Sequence, residues 1–183
     1  MRVISGSSRG KKLFSLEGTD TRPTTDRVKE SIFNIISPYI YGSTVLDLFA
    51  GSGALGIEAL SRGANVAVFC EKGRKAIEII EKNLSATGLL DKAIIEKTDF
   101  FEYLSKSNCV FDIIFIDPPY ASGFYDSALS VIAKRCLLSD DGIIVTERSS
   151  DLCAPSGNDF ELVTDRRYGN STVSIFKRLE SKK

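Results

Sequence analysis

The chain has 183 residues, 43% of them apolar and 26% charged, which suits one soluble domain with one well-buried core over 1–183. The absence of histidine excludes a Ser-His-Asp triad, a Cys-His dyad and a His-bound metal; Cys70, Cys109, Cys136 and Cys153 form no Cys-x-x-Cys pair, so no metal or disulfide framework is expected. Net charge is zero, but residues 1–30 hold seven Lys/Arg against four Asp/Glu and residues 166–183 hold six against one, which leaves the middle acidic. Basic ends on an acidic body suggest a polyanion contacted by the termini. No run approaches the roughly 18 apolar residues of a membrane span, and Met1 to Gly6 lack the apolar stretch of a signal peptide. A cytoplasmic location without a membrane partner is expected.

Two short strand-like pieces, 2–5 and 12–16, flank a Gly/Ser/Lys/Arg turn at 6–11, so residues 1–20 read as a basic β-hairpin extension. Arg9, Lys11 and Lys12, with Arg22 and Arg27 beyond, are its candidate phosphate contacts. Thr24, Thr25 or Asp26 can cap a helix that carries Val28, Ile32, Phe33, Ile35 and Ile36 on its apolar face and stops before Pro38.

From Thr44 onward, apolar runs of strand length alternate with helical patterns, the mark of a parallel sheet covered on both faces. Strands are predicted at 44–49, 66–70, 93–97, 111–117, 142–147, 161–166 and 172–177, and helices at 53–62, 74–86, 100–105 and 124–136. The last two strands are joined by five residues, too few for a helix, and must pair antiparallel.

The first of these strands runs into Gly51-Ser52-Gly53-Ala54-Leu55-Gly56, a Gly-x-Gly-x-x-Gly turn opening a helix. Gly51, Ser52 and Gly53 can bring backbone close to a ligand. Glu71 follows Gly51 by twenty residues at the end of the next strand, where a carboxylate can accept both ribose hydroxyls. Asp47 chooses between two cofactors: it would repel a pyrophosphate, whereas it would attract the ammonium of S-adenosylmethionine. A carboxylate capping the turn's own N–H groups is the structural reading of the same residue. Asp99 can accept from an adenine amino group with Phe100 covering the ring, or can simply cap a helix.

Asp117-Pro118-Pro119-Tyr120 follows the apolar run 111–116, where a buried strand ends and a ligand crevice opens. The two prolines supply no backbone donors and keep the preceding residues extended, so the carbonyls of Asp117 and Pro118 have no ladder to join. A carboxylate, a free carbonyl and the Tyr120 ring suit a nucleobase with an exocyclic amino group, although a plain tight turn has the same composition.

These segments together resemble the class I, Rossmann-like S-adenosylmethionine-dependent methyltransferases, and more narrowly the RsmD family, which methylates a guanine N2 amino group in bacterial small-subunit ribosomal RNA. The resemblance is carried by Arg22-Pro23-Thr24-Thr25-Asp26-Arg27-Val28-Lys29-Glu30, Asp47 to Gly56, Ala59-Leu60-Ser61-Arg62-Gly63-Ala64, Glu71-Lys72, Asp117 to Tyr120 and Tyr168-Gly169. It implies an α/β fold with a seven-stranded, mostly parallel sheet whose last strand is reversed, and a small N-terminal hairpin that helps hold RNA. It also implies donor contacts around Thr25, Asp47, Gly51, Glu71 and Asp99, with ribosomal RNA or the small ribosomal subunit as partner and a monomeric enzyme. Gly73 departs from relatives that carry a helix-capping polar residue there. Competing readings are an amino methyltransferase acting on another RNA, on DNA adenine or cytosine, or on protein glutamine; a non-catalytic nucleic-acid or nucleotide-binding module; and an NAD-dependent enzyme.

Overall fold

The computed structural model describes residues 1–15, 26–118, 123–156 and 159–179. Its strands are β1 (Thr44–Asp47), β2 (Val66–Cys70), β3 (Ala93–Glu96), β4 (Phe111–Ile116), β5 (Leu138–Ser149), β6 (Phe160–Tyr168) and β7 (Ser171–Arg178). They form one seven-stranded sheet in the order β3-β2-β1-β4-β5-β7-β6. β1 to β5 pair in parallel, while β7 is antiparallel to both β5 and β6, so β7 alone is reversed. This is the mostly parallel sheet with a reversed last strand that the sequence leads one to expect.

The helices are α1 (Asp26–Ile35), α2 (Ser37–Ile40), α3 (Ala54–Ser61), α4 (Arg74–Thr87), α5 (Phe100–Lys106) and α6 (Gly123–Lys134). Alternate residues of each strand serve opposite faces, so neighbours such as Val45 and Leu46 enter different cores. On one face Ile32, Phe33, Ile57, Leu60, Ile80 and Leu84 from α1, α3 and α4 cover Val45, Phe69, Ile113, Phe115 and Val145. On the other, Leu104, Ala128, Leu129 and Ile132 from α5 and α6 cover Leu46, Val68, Ile114, Ile116 and Ile144. Among the described residues no helix is long and apolar enough to cross a membrane.

One expectation is met and two change in detail. α1 stops at Ile35, before Pro38, which lies in the first turn of the separate short helix α2, where its missing N–H is lost from no hydrogen bond. β5 begins at Leu138 rather than 142, because Leu138 pairs with Phe111 ahead of a register shift. Among the described residues the N-terminal hairpin has one bridge, Arg2 to Lys12, with backbone bonds between Val3 and Lys11, Gly10 and Val3, and Leu13 and Met1, rather than two full strands. Its ladder stops because Ile4 and Ser5 give their N–H groups to the Glu58 carboxylate at 2.8 and 3.0 Å instead of to a partner strand. The end of the second predicted piece, at residue 16, lies outside the described residues.

Candidate functional site

The C-terminal ends of β1, β2 and β4 meet on one edge of the sheet, and three acidic side chains stand there. Asp47 ends β1 and is 2% exposed. Its Oδ2 accepts the Gly56 N–H at 3.0 Å, so the carboxylate caps the first turn of α3, as its structural reading held. Burial raises its pKa to about 7, the Gly56 hydrogen bond works against that rise, and the Glu71 charge adds to it. A carboxylate this reluctant to ionise gains most from a cation placed beside it, which fits an ammonium and opposes a phosphate.

Glu71, one residue beyond β2, holds the turn from the other side. Its Oε2 accepts from Gly51 N–H at 2.9 Å and its Oε1 from Gly73 N–H at 2.7 Å. Gly73 thus helps to fix the Glu71 carboxylate, and α4 starts from it without a side-chain cap. Each carboxylate oxygen keeps a second lone pair, so ribose hydroxyls can join these bonds. Gly51 and Gly53 adopt left-handed φ values of 54° and 78°, and Ser52 between them is half-buried. Gly56 has a different reason: a Cβ there would lie 2.4 Å from the Phe69 ring, so it serves the packing of α3 on β2.

Asp99 caps α5 by accepting the Phe101 N–H at 3.0 Å and pairs with Lys72 at 3.1 Å. Its capping reading is thus realised, and the Lys72 contact leans over the same edge. Phe100 is buried, its ring 4.9 Å from that of Phe49 and 5.3 Å from that of Phe124. These three rings form an aromatic wall; neither Phe49 nor Phe124 stands out in the sequence, because each reads as ordinary core.

Asp117 and Pro118 follow β4 directly, half-buried and buried respectively. β1 and β4 are neighbours with Asp47 opposite Phe115, so Asp117 emerges two residues further along the adjacent strand. Neighbouring strands lie roughly 4.8 Å apart, which puts the loop after β4 beside the glycine turn. Pro119, Tyr120, Thr25 and Arg22 lie outside the described residues. Tyr125 on α6 is a residue that sequence reasoning missed: its hydroxyl donates to the Glu147 carbonyl at 2.6 Å, tying the start of α6 to the end of β5. Burial and the nearby Asp117 charge push its phenol well above the usual range. A Tyr on the apolar face of a helix reads as core, and only the fold reveals where its hydroxyl lands.

The basic candidates are more scattered. Arg9, Lys11, Lys12 and Arg27 are exposed, but the turn at 6–11 docks on the far ends of α3 and α4. Ser7 N–H reaches the Ser61 carbonyl at 2.8 Å, and Lys11 Nζ donates to the Thr87 carbonyl at 3.0 Å. Since Ser61 ends α3 and Gly53 precedes it, about 12 Å of helix separates this turn from the glycine turn. Arg9 and Lys11 are not brought to the acidic edge; they lie along the flank below it.

A family model described as Conserved hypothetical protein 95 matches residues 1–177. YlbH of Bacillus subtilis (strain 168) is 43% identical over 182 residues, covering 97% of this chain and 99% of that protein. Ribosomal RNA small subunit methyltransferase D of Escherichia coli (strain K12) is 37% identical over 147 residues, covering 80% of this chain and 74% of that one. The solved structure of yhhF from Escherichia coli superposes with a TM-score of 0.89 at 30% identity, over 99% of both chains. An RNA methyltransferase from Salinibacter ruber, solved with S-adenosyl-L-homocysteine, shares the fold with a TM-score of 0.70 at 15% identity, over 87% of this chain and 95% of that one. A seven-stranded sheet with β7 reversed, a glycine turn flanked by Asp47 and Glu71, and similarity along nearly the whole sequence place the chain in the Conserved hypothetical protein 95 family, the RsmD family of Rossmann-like class I methyltransferases.

Proposed function

We propose that this protein transfers a methyl group from S-adenosylmethionine to the exocyclic N2 amino group of a guanine in small-subunit ribosomal RNA. The observation that carries the reading is the adjacency of Asp47 with its glycine turn to Asp117, on neighbouring parallel strands of one sheet edge. S-adenosylmethionine supplies an electrophilic methyl on a cationic sulfur when bound. Asp47 would hold its amino-acid ammonium, Glu71 would take its ribose hydroxyls, and the turn at Gly51, Ser52 and Gly53 would let backbone approach it closely. Asp99 and Phe100 would face the adenine end, and the resemblance counts Thr25 among the donor contacts.

The target nitrogen is a poor nucleophile because its lone pair is delocalised into the guanine ring. Acceptance of its two N–H bonds by the Asp117 carboxylate and the Pro118 carbonyl favours a tetrahedral nitrogen with the lone pair aimed outward. Positioning of this kind lowers a barrier by roughly 7–11 kcal/mol in favourable cases, so no strong base is needed: the N–C bond would form as the C–S bond breaks, S-adenosylhomocysteine would leave, and the Asp117 carboxylate would take the proton shed by the methylated nitrogen. Pro119 keeps the loop extended, and Tyr120 stacks on the base after it leaves its helix, a contribution of about 1–3 kcal/mol. Phosphates are contacted by Arg9, Lys11, Lys12, Arg22 and Arg27, and the turn that carries Arg9 and Lys11 holds RNA beside the edge rather than in it.

The test is to incubate the enzyme with isotope-labelled donor and, in parallel, small ribosomal subunits, their naked RNA and DNA, then to digest each and identify the labelled nucleoside by mass spectrometry. N2-methylguanosine from the ribosomal samples is expected. Label confined to DNA, or to an adenine or cytosine nucleoside, rejects the reading.

A further inference from the structure

Asn83 is fully buried in α4 and plays no part in the chemistry above, yet its side chain joins two segments far apart in sequence. Its Oδ1 accepts the Phe14 N–H at 2.8 Å, while its Nδ2 donates to the Phe14 carbonyl at 3.0 Å and to the Ser52 carbonyl at 2.8 Å. One N–H donor and two carbonyl acceptors around the amide permit only this orientation of its oxygen and nitrogen. Asn83 therefore pairs with Phe14 as a neighbouring strand would, and gives its remaining N–H to the middle residue of the glycine turn.

The neighbouring residues make the same link from other atoms. Lys82 Nζ stands 3.6 Å above the Phe14 ring. One turn further on, the Thr87 carbonyl accepts from the Ser8 hydroxyl at 2.8 Å and from Lys11 Nζ at 3.0 Å. Thus the C-terminal half of α4 carries the N-terminal extension, and Asn83 is where that contact passes into the glycine turn. Glu71 fixes the turn at Gly51 and Asn83 fixes it at Ser52. A buried amide with all its hydrogens used is costly to rearrange, so whatever steadies one of its partners steadies the other.

We infer that Asn83 is a positioning residue that couples the donor seat to the RNA-holding extension, so that a filled seat tightens the extension's hold on RNA and bound RNA tightens the donor. This rests on the proposed function, in which the glycine turn seats the donor and residues 1–15 contact RNA. The coupling is reciprocal by necessity: each ligand orders a segment that the other then need not order.

The experiment uses the full chain with S-adenosylhomocysteine as probe. Amide hydrogen exchange at Phe14 is followed with and without the probe, and the Kd for small-subunit ribosomal RNA is measured in both conditions. In the wild type the probe should slow exchange at Phe14 and lower the RNA Kd, each by about fivefold or more, the low end of ordinary coupling between sites. Asn83→Ala should abolish both effects while still binding the probe. Phe14→Pro removes the N–H given to Oδ1 together with the ring beneath Lys82 Nζ, and should uncouple RNA from the probe without changing the probe's own Kd; it keeps the test alive if Asn83→Ala does not fold. Exchange at Phe14 indifferent to bound probe, or undiminished coupling in either variant, overturns the inference alone. Failure of the wild type to bind the probe at all overturns the donor seat and the coupling with it.

Discussion

At the scale of single residues, two aspartates of the acidic edge, Asp47 and Asp117, are given opposite tasks by their surroundings. Asp47 is enclosed, and its pKa near 7 leaves it only partly ionised at neutral pH until a cation arrives. Donor affinity should accordingly be flat above pH 8 and fall by up to tenfold per pH unit below about 7, and Asp47→Asn should flatten that profile while weakening binding. Calorimetric titration with S-adenosylhomocysteine from pH 5 to 9 checks this. The same group acts on stability with the opposite sense. Its pKa is raised above the 3.8 of an unperturbed aspartate, so between pH 7 and 4 the folded, donor-free protein binds more protons than the unfolded chain. This residue therefore makes the donor-free fold more stable as pH falls through that window. Asp117 is half-buried at a strand end, where a substrate amine can reach it. Asp117→Ala should reduce single-turnover methyl transfer by roughly 100-fold or more, with donor Kd within about twofold of wild type. A variant that turns over at near wild-type speed would remove Asp117 from the chemistry.

At the scale of elements, the N-terminal extension is held by a buried ionic cluster rather than by its own hairpin ladder. Lys29 on α1 and Glu58 on α3 pair at 3.2 Å with both side chains fully buried; Arg62 Nε adds a second contact to Glu58 at 2.8 Å, and Lys29 Nζ also donates to the Arg2 carbonyl. Glu58→Ala leaves Lys29 buried without its counter-charge and the N–H groups of Ile4 and Ser5 without acceptors, so thermal unfolding should report a loss of about 3–5 kcal/mol. A loss below about 1 kcal/mol would mean that the cluster does not anchor the extension. Sequence reasoning placed the sheet, the glycine turn and the antiparallel final pair because each rests on local signals: apolar runs, glycine spacing and connection length. It could not see the cluster, since Lys29 and Glu58 are far apart in the chain and each reads as a solvated helix residue until α1 and α3 are packed together. For the same reason Asn83 and Tyr125 were invisible: their partners, Phe14 with Ser52 and Glu147, are set by tertiary contact. Asp47, Glu71 and Asp117 were legible because strand ends are, and a carboxylate at a strand end of an open α/β sheet faces the ligand edge.

Across the whole molecule, charge and chemistry are separated in space. The acidic edge gathers Asp47, Glu71, Asp99 and Asp117, whereas the turn that carries Arg9 and Lys11 docks on the flank formed by α3 and α4. A polyanion gripped on that flank would keep its phosphates away from the carboxylates and present only an extruded base to them. Replacing Arg9 and Lys12 together by Glu should weaken RNA binding and make the slope of log K against log salt shallower by about one or two, without changing donor affinity. Filter-binding titrations across salt concentrations measure both quantities, and an unchanged slope would take these side chains off the RNA path. The claim on which the account turns is that donor and amine share one edge, between β1 and β4. A crystal structure of the protein with S-adenosylhomocysteine tests it most directly: its ammonium is predicted beside Asp47, its ribose at Glu71 and its sulfur facing the loop that leaves β4. A ligand seated away from Asp47, or with its sulfur turned from Asp117, would contradict it.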